Sequence, residues 1–211
     1  MEQDFARWLP AGGRLHVNRL NAPAQRPDDM EENLRVMTSG LEEVARLVDL
    51  AEPNVVAFGC TSGSFLRGPA FDDVVLEKIR SAVRAPHVVL TARASVDALK
   101  ALGARRIAVA TPYPEKINEQ LRRYLEHFGF EIGGFEAVDA WKGGTIARFA
   151  PSVAVDLARR AAAGGGDALF VSCTNFRAGE AIDEIEAVTG LPVVTANQAT
   201  FQACLRAVGA A

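Results

Sequence analysis

Two stretches of this chain share one design. Val55-Val56-Ala57-Phe58-Gly59-Cys60-Thr61-Ser62-Gly63-Ser64-Phe65 is an apolar run, rich in β-branched residues, that ends in small and hydroxylic ones. Ala168-Leu169-Phe170-Val171-Ser172-Cys173-Thr174-Asn175 repeats the pattern. Short continuous apolar runs bounded by turn residues read as buried parallel strands emptying into loops. In open α/β sheets ligands sit beyond the carboxyl ends of such strands. Cys60 and Cys173 therefore both fall where a parallel sheet presents its chemistry.

The rest of the chain supplies the helices that parallel strands need. The spacing predicts a short helix over Met1–Gly13, a strand over Leu15–Leu20, and a long amphipathic helix from Pro27-Asp28. The apolar positions Met30, Leu34, Met37, Leu41, Val44 and Val48 recur three or four apart, a stripe for one helix face. After the first cysteine strand come a helix over Val74–Val83, a strand over His87–Thr91 and a helix over Ser95–Leu102 closed by Gly103. A second unit opens with the strand Arg106–Ala110 and Thr111-Pro112-Tyr113-Pro114, Pro114 suiting the first turn of the next helix. That helix carries Ile117, Leu121, Leu125 and Phe128 and stops at Gly129. A strand over Phe130–Val138, a helix over Ile146–Ala163 interrupted by Pro151, and a turn at Gly164-Gly165-Gly166 follow. Beyond the second cysteine strand lie a helix over Gly179–Thr189, a strand over Pro192–Thr195 and a last helix over Gln198–Val208.

Strand and helix alternating in this way mean parallel βαβ units. A weak internal repeat, Val89-Leu90-Thr91-Ala92 against Val193-Val194-Thr195-Ala196, follows each cysteine strand. The expected fold is α/β, two pseudo-symmetric Rossmann-like halves with the two cysteines on opposite walls of one cleft. Residues 1–93 form the first half, with the final helix, 197–211, packing there, and residues 94–196 form the second.

Composition narrows the chemistry. With 211 residues, 49% apolar and 23% charged, the chain has material for a full core. A net charge of −3 gives no electrostatic reason to expect nucleic acid or an anionic membrane surface as partner. No apolar run reaches membrane-spanning length and no signal-peptide pattern opens the chain, so the cytoplasm is the default compartment. Three cysteines in such a chain argue against a disulfide framework. His16, His87 and His127 form no ligand pattern, no CxxC occurs, and no phosphate loop or dinucleotide fingerprint is present. A free cysteine is often a small buried hydrophobe. That reading suits Cys204, on the apolar side of the last helix, better than two cysteines that both end strands and both precede threonine.

Gly59-Cys60-Thr61-Ser62-Gly63-Ser64-Phe65, Thr111-Pro112-Tyr113, Ser172-Cys173-Thr174-Asn175 and Thr195-Ala196-Asn197-Gln198 together resemble the aspartate/glutamate racemase superfamily. Within it they resemble the maleate cis-trans isomerase and arylmalonate decarboxylase branch. The resemblance runs in order along nearly the whole chain. It implies two α/β halves with the site between them, no cofactor, and a small carboxylate as the partner molecule. It implies Cys60 as nucleophile, Cys173 as acid and base, and Tyr113 on a substrate carboxylate. Loop amides, with Thr61, Ser62, Thr174 and Asn175, would cradle a carboxylate and lower the thiol pKa values.

Two thiols on opposite faces of a carbon allow three reactions. One thiol can add to an activated double bond, let the new single bond rotate, and leave, turning a maleate-like dicarboxylate into its trans isomer. Both can act as acid and base in an amino-acid or hydantoin-type racemase. One alone can protonate an enediolate after decarboxylation, although the resemblance gives decarboxylases glycine at the position of Cys60. A catalytically inactive binding protein or fragment is the fourth reading. The family's first apolar strand and its asparagine loop would precede Met1-Glu2-Gln3-Asp4-Phe5, so a start placed too late is expected. An opened sheet edge would then favour a homo-oligomer. Lys142-Gly143-Gly144-Thr145 stands where the isomerases carry another asparagine, which leaves the substrate open.

Overall fold

The structure, a computed structural model, describes residues 1–21, 30–140 and 143–210. The first part of the chain gives α1 (Glu2–Trp8), α2 (Met30–Ser39), α3 (Leu41–Asp49), β1 (Val55–Phe58), α4 (Thr61–Phe65), α5 (Pro69–Arg80), β2 (His87–Leu90) and α6 (Thr91–Ala101). The second gives β3 (Arg106–Thr111), α7 (Glu115–His127), β4 (Glu131–Ala137), α8 (Gly143–Ile146), α9 (Pro151–Ala162), β5 (Ala168–Val171), α10 (Ile182–Thr189), β6 (Val193–Thr195) and α11 (Ala196–Ala207).

All strand pairs are parallel. β1 pairs with β2, Val55 opposite His87 and Phe58 opposite Leu90. The second sheet has the order β4-β3-β5-β6. Alternation along its inner strands sorts side chains to two cores, because successive residues of a strand face opposite ways. Ile107, Val109, Ala168 and Phe170 enter a core covered by α6, α7 and α11. Ala108, Ala110, Leu169 and Val171 enter another, covered by α9 and α10. A third core packs Leu41, Ala45, Val75 and Ile79 against Val56, Phe58 and Leu90 of the first sheet.

The internal repeat is structural. β2 runs into α6 without a loop, and β6 runs into α11 in the same way. The two helices pack on each other, and the Thr200 hydroxyl donates to Thr91 Oγ1 at 3.0 Å. α6 touches β2, β5 and β6, while α11 touches β1, β2 and β6, so this helix pair joins the two sheets.

Several local expectations are corrected. Leu15–Leu20 forms no strand: among the described residues none pairs with it in a ladder, Leu15 and Val17 stay exposed, and Arg19 pairs with Glu2 at 2.7 Å. The long helix is interrupted at Gly40, which separates α2 from α3; its expected start at Pro27-Asp28 lies outside the described residues. Pro151 does not interrupt a helix but opens α9, where its missing N–H costs nothing. Gly164-Gly165-Gly166 does more than turn. A Cβ on Gly133 or Gly134 would collide with the carbonyls of Gly165 and Ala161, so glycines on both sides let α9 and its exit lie against β4. Among the described residues no helix is long and apolar enough to cross a membrane.

Candidate active site

β1 delivers Cys60 two residues past the strand end, in extended backbone (φ −144°), as the residue that caps α4. Its sulfur accepts the Gly63 N–H at 3.3 Å and lies 3.8 Å from the Ser62 hydroxyl. α4 is anchored by Phe65, which is 1% exposed and belongs to the core of the second half. The Cys60 loop is thus held by the other half's packing as well as by its own strand.

β5 delivers Cys173 after Ser172, and here the backbone turns left-handed (φ +93°), a conformation most L-residues avoid. Cys173 packs against the core cluster that holds Tyr113, and the Phe176 N–H donates to its carbonyl at 3.3 Å; the Asn175 and Phe176 backbone amides and the Tyr113 hydroxyl all act to lower its thiol pKa. Tyr113, on the turn after β3, is 5% exposed; its ring lies tilted against Phe65, centroids 6.0 Å apart, and it takes a long 3.5 Å contact from the Ser172 hydroxyl.

The two loops meet. The Thr174 hydroxyl donates to the Gly59 carbonyl at 3.2 Å. The Met1 nitrogen and the Asn197 amide both donate to the Thr174 carbonyl, at 2.6 and 3.1 Å, and Asn197 also donates to the buried Asp4 carboxylate at 2.8 Å. Charge on Cys60 is felt at both Cys173 and Tyr113.

Burial dominates the electrostatics. It pushes the thiols of Cys60 and Cys173 up from their ordinary values, and the amide, hydroxyl and phenol donors around each sulfur only oppose this rise. The expected lowering by loop amides is therefore overturned, because removing a thiolate from water outweighs two or three hydrogen bonds. The Tyr113 phenol is raised well above its usual value by burial and by the neighbouring Cys173, so it stays a donor.

The other expected residues take distinct places. Thr61 is 2% exposed and its hydroxyl finds no hydrogen-bond partner among the described residues. Ser62 faces Cys60, and Thr174 spends its hydroxyl on the Gly59 tie. Asn175 is exposed, and its backbone N–H acts to lower the Cys173 thiol pKa. The arginines that follow the two cysteines hold their own loops: Arg67 lies over the Phe71 ring, and Arg177 forms two hydrogen bonds to Glu180. Cys204 is 9% exposed and pushed up to about 11 by burial alone, as a packing residue would be. Lys142 lies outside the described residues. Among the described residues no group of three or more His, Cys, Asp or Glu side chains is placed to hold a metal ion.

Sequence reasoning missed Asn118 and Ser172, which surround Tyr113 and its turn. A signal existed: Asn118 sits on the stripe of Leu121 and Leu125, where a polar residue must find buried partners. It also missed Asp72, 1% exposed, which accepts from Arg93 at 2.7 Å and Tyr124 at 2.6 Å and ties α5 to α6 and α7.

Two parallel sheets thus bring their cysteine loops together through the Thr174–Gly59 hydrogen bond. The chain belongs to the arylmalonate decarboxylase family, whose model matches residues 30–211. It is 34% identical over 157 residues to the arylmalonate decarboxylase of Bordetella bronchiseptica, a match covering 74% of this chain and 65% of that protein's own length. It is 28% identical over 217 residues to a maleate isomerase of Pseudomonas putida, covering 99% of this chain and 86% of that one. Among solved structures, a cysteine-to-serine variant of the Nocardia farcinica maleate cis-trans isomerase, carrying a covalently bound succinylcysteine intermediate, superposes with a TM-score of 0.82 at 25% identity. That superposition covers 92% of this chain and 80% of the other. The chain thus lies in the maleate isomerase and arylmalonate decarboxylase branch of the aspartate/glutamate racemase superfamily.

Proposed function

We propose that this chain is a cofactor-independent cis-trans isomerase of a maleate-like dicarboxylate. The observation that carries the reading is the pair of free thiols on loops joined by the Thr174–Gly59 hydrogen bond, each sulfur with its own set of donors. Cys60, as thiolate, adds to one vinylic carbon and forms a C–S bond. The displaced π electrons pass to the adjacent carbon and its carboxylate, and Cys173 delivers its proton to that carbon. The former double bond is now single and rotates. Cys173 then removes a proton, the double bond reforms trans, and the C–S bond electrons return to Cys60. Burial favours the neutral thiol, which suits Cys173 as donor and leaves Cys60 to be activated by the Gly63 amide and Ser62. Thr61, Ser62, Tyr113 and Asn175 supply hydroxyl and amide groups for the substrate carboxylates, while Thr174 frames the same pocket by tying its loop to Gly59. A succinylcysteine captured in the related Nocardia farcinica isomerase supports covalent addition as the route.

The 34% identity to an arylmalonate decarboxylase supports a second reading, in which Cys173 protonates the enediolate left by loss of carbon dioxide. Intact-mass analysis after incubation with maleate, with fumarate followed in parallel, separates the two. Fumarate formed by the wild type, and an adduct of maleate mass that disappears in Cys60→Ala, is the expected result. A folded wild type that yields neither fumarate nor adduct, yet releases carbon dioxide from an arylmalonate, overturns the isomerase reading.

A further inference from the structure

Thr111-Pro112-Tyr113-Pro114 is a turn with little backbone of its own to hold it. Two of its residues are prolines and have no N–H. The Pro112 carbonyl is taken by the Ala140 N–H at 2.6 Å, and the Pro114 carbonyl by the N–H groups of Ile117 and Asn118 at 3.0 and 3.1 Å. Tyr113 is held differently, through side chains on both of its backbone groups. Its N–H donates to Thr111 Oγ1 at 3.2 Å, and its carbonyl accepts from Asn118 Nδ2 at 2.8 Å. The ring closes because the Thr111 hydroxyl donates to Asn118 Oδ1 at 2.7 Å. Thr111 and Asn118 are both fully buried, so water cannot replace either one.

We propose that Asn118, with Thr111, is a positioning residue that holds the Tyr113 hydroxyl at the Cys173 end of the site. Neither side chain reaches a sulfur; each acts through the peptide groups that flank Tyr113. The amide head of Asn118 fits because the site needs one acceptor and one donor side by side, for a hydroxyl and for a carbonyl. A carboxylate supplies only acceptors and an aliphatic chain supplies neither. Loss of Asn118 leaves the Tyr113 carbonyl unpaired in the core, and loss of the Thr111 hydroxyl leaves the Tyr113 N–H unpaired; either way the turn relaxes away from Cys173. This inference rests on the reading of Tyr113 and Cys173 as parts of one site, but not on the identity of the substrate.

The test reads the thiol rather than turnover, so its failure is distinct from failure of the isomerase reading, which shows as absence of fumarate from the wild type. In the full chain carrying Cys60→Ser and Cys204→Ala, Cys173 is the lone thiol, and its alkylation by iodoacetamide is followed against pH. Tyr113→Phe removes the donor and shifts the alkylation midpoint upward. Thr111→Val, Asn118→Asp and Asn118→Leu shift it in the same direction, and none shifts it further once Tyr113→Phe is present. Thr111→Val, the mildest and uncharged change, carries the test if Asn118→Leu fails to fold. An unmoved midpoint in Thr111→Val and Asn118→Asp overturns the proposal. So does a shift that persists undiminished in the Tyr113→Phe background, or an unmoved midpoint in Tyr113→Phe itself.

Discussion

Cys60 and Cys173 end strands of the same design and are both followed by threonine, yet the chain leaves the two strands differently. At Cys60 the backbone stays extended and winds at once into α4, so the donors on its sulfur lie within three residues, at Ser62 and Gly63. At Cys173 the backbone turns left-handed, and one donor, Tyr113, arrives from the turn beyond β3. The first thiol is served almost wholly by its own loop. The second depends in part on a strand neighbour and the helix behind it. A shared motif therefore yields two unlike thiols, as the proposed reaction, with one nucleophile and one proton carrier, requires.

The largest test of this contrast is to remove each thiol in turn. Cys60→Ala and Cys173→Ala should each lower kcat/KM for maleate by about a thousandfold or more, the scale of losing a nucleophile or a positioned acid. Only Cys60→Ala should abolish the covalent adduct seen by intact mass. Equal adduct in both variants would mean that the two loops do not differ in role.

The packing contrast comes next. Phe65 carries the Cys60 helix into the core of the second half, so Phe65→Ala should cost about 3–5 kcal/mol in urea unfolding. The alkylation rate of Cys60 should change more than that of Cys173. A smaller effect follows from backbone geometry alone. At residue 173 glycine should be more stable than alanine by about 1 kcal/mol, because only glycine adopts φ +93° without strain. At residue 60, in extended backbone, the order should reverse by about 0.5–1 kcal/mol. Urea midpoints of the four variants read both signs.

The smallest prediction concerns pH. Burial raises the Cys60 thiol, and Ser62 works against that rise, so Ser62→Ala should raise it further. Less thiolate is then present at neutral pH, kcat/KM should fall there by about twofold, and the rising limb of the profile should move to higher pH. A limb that stays in place would remove Ser62 from the account.

Much of the fold was legible because its signals are local. The apolar runs at 55–58, 106–111, 168–171 and 193–195 all became strands, whereas Pro151, expected to interrupt a helix, opens one instead. Leu15–Leu20 misled because alternation describes a strand only if another strand lies beside it. The glycines at 133–134 and 164–166 were opaque because their reason is a close approach between β4 and the end of α9. In the site, both cysteines could be picked from a repeated motif, whereas Asn118 matters only because α7 folds back over the turn that ends β3.

The sequence by itself determined where strands end, which residue types stand there, and that two thiols are paired in the design, since periodicity, turn chemistry and β-branching act over a few residues. Tertiary structure alone decided that both thiols are buried enough to favour the protonated form. It also decided that Tyr113 reaches Cys173 and that Thr174 closes on Gly59. Desolvation and long-range hydrogen bonds depend on what the rest of the chain brings near a group, and that is fixed only when the halves have packed.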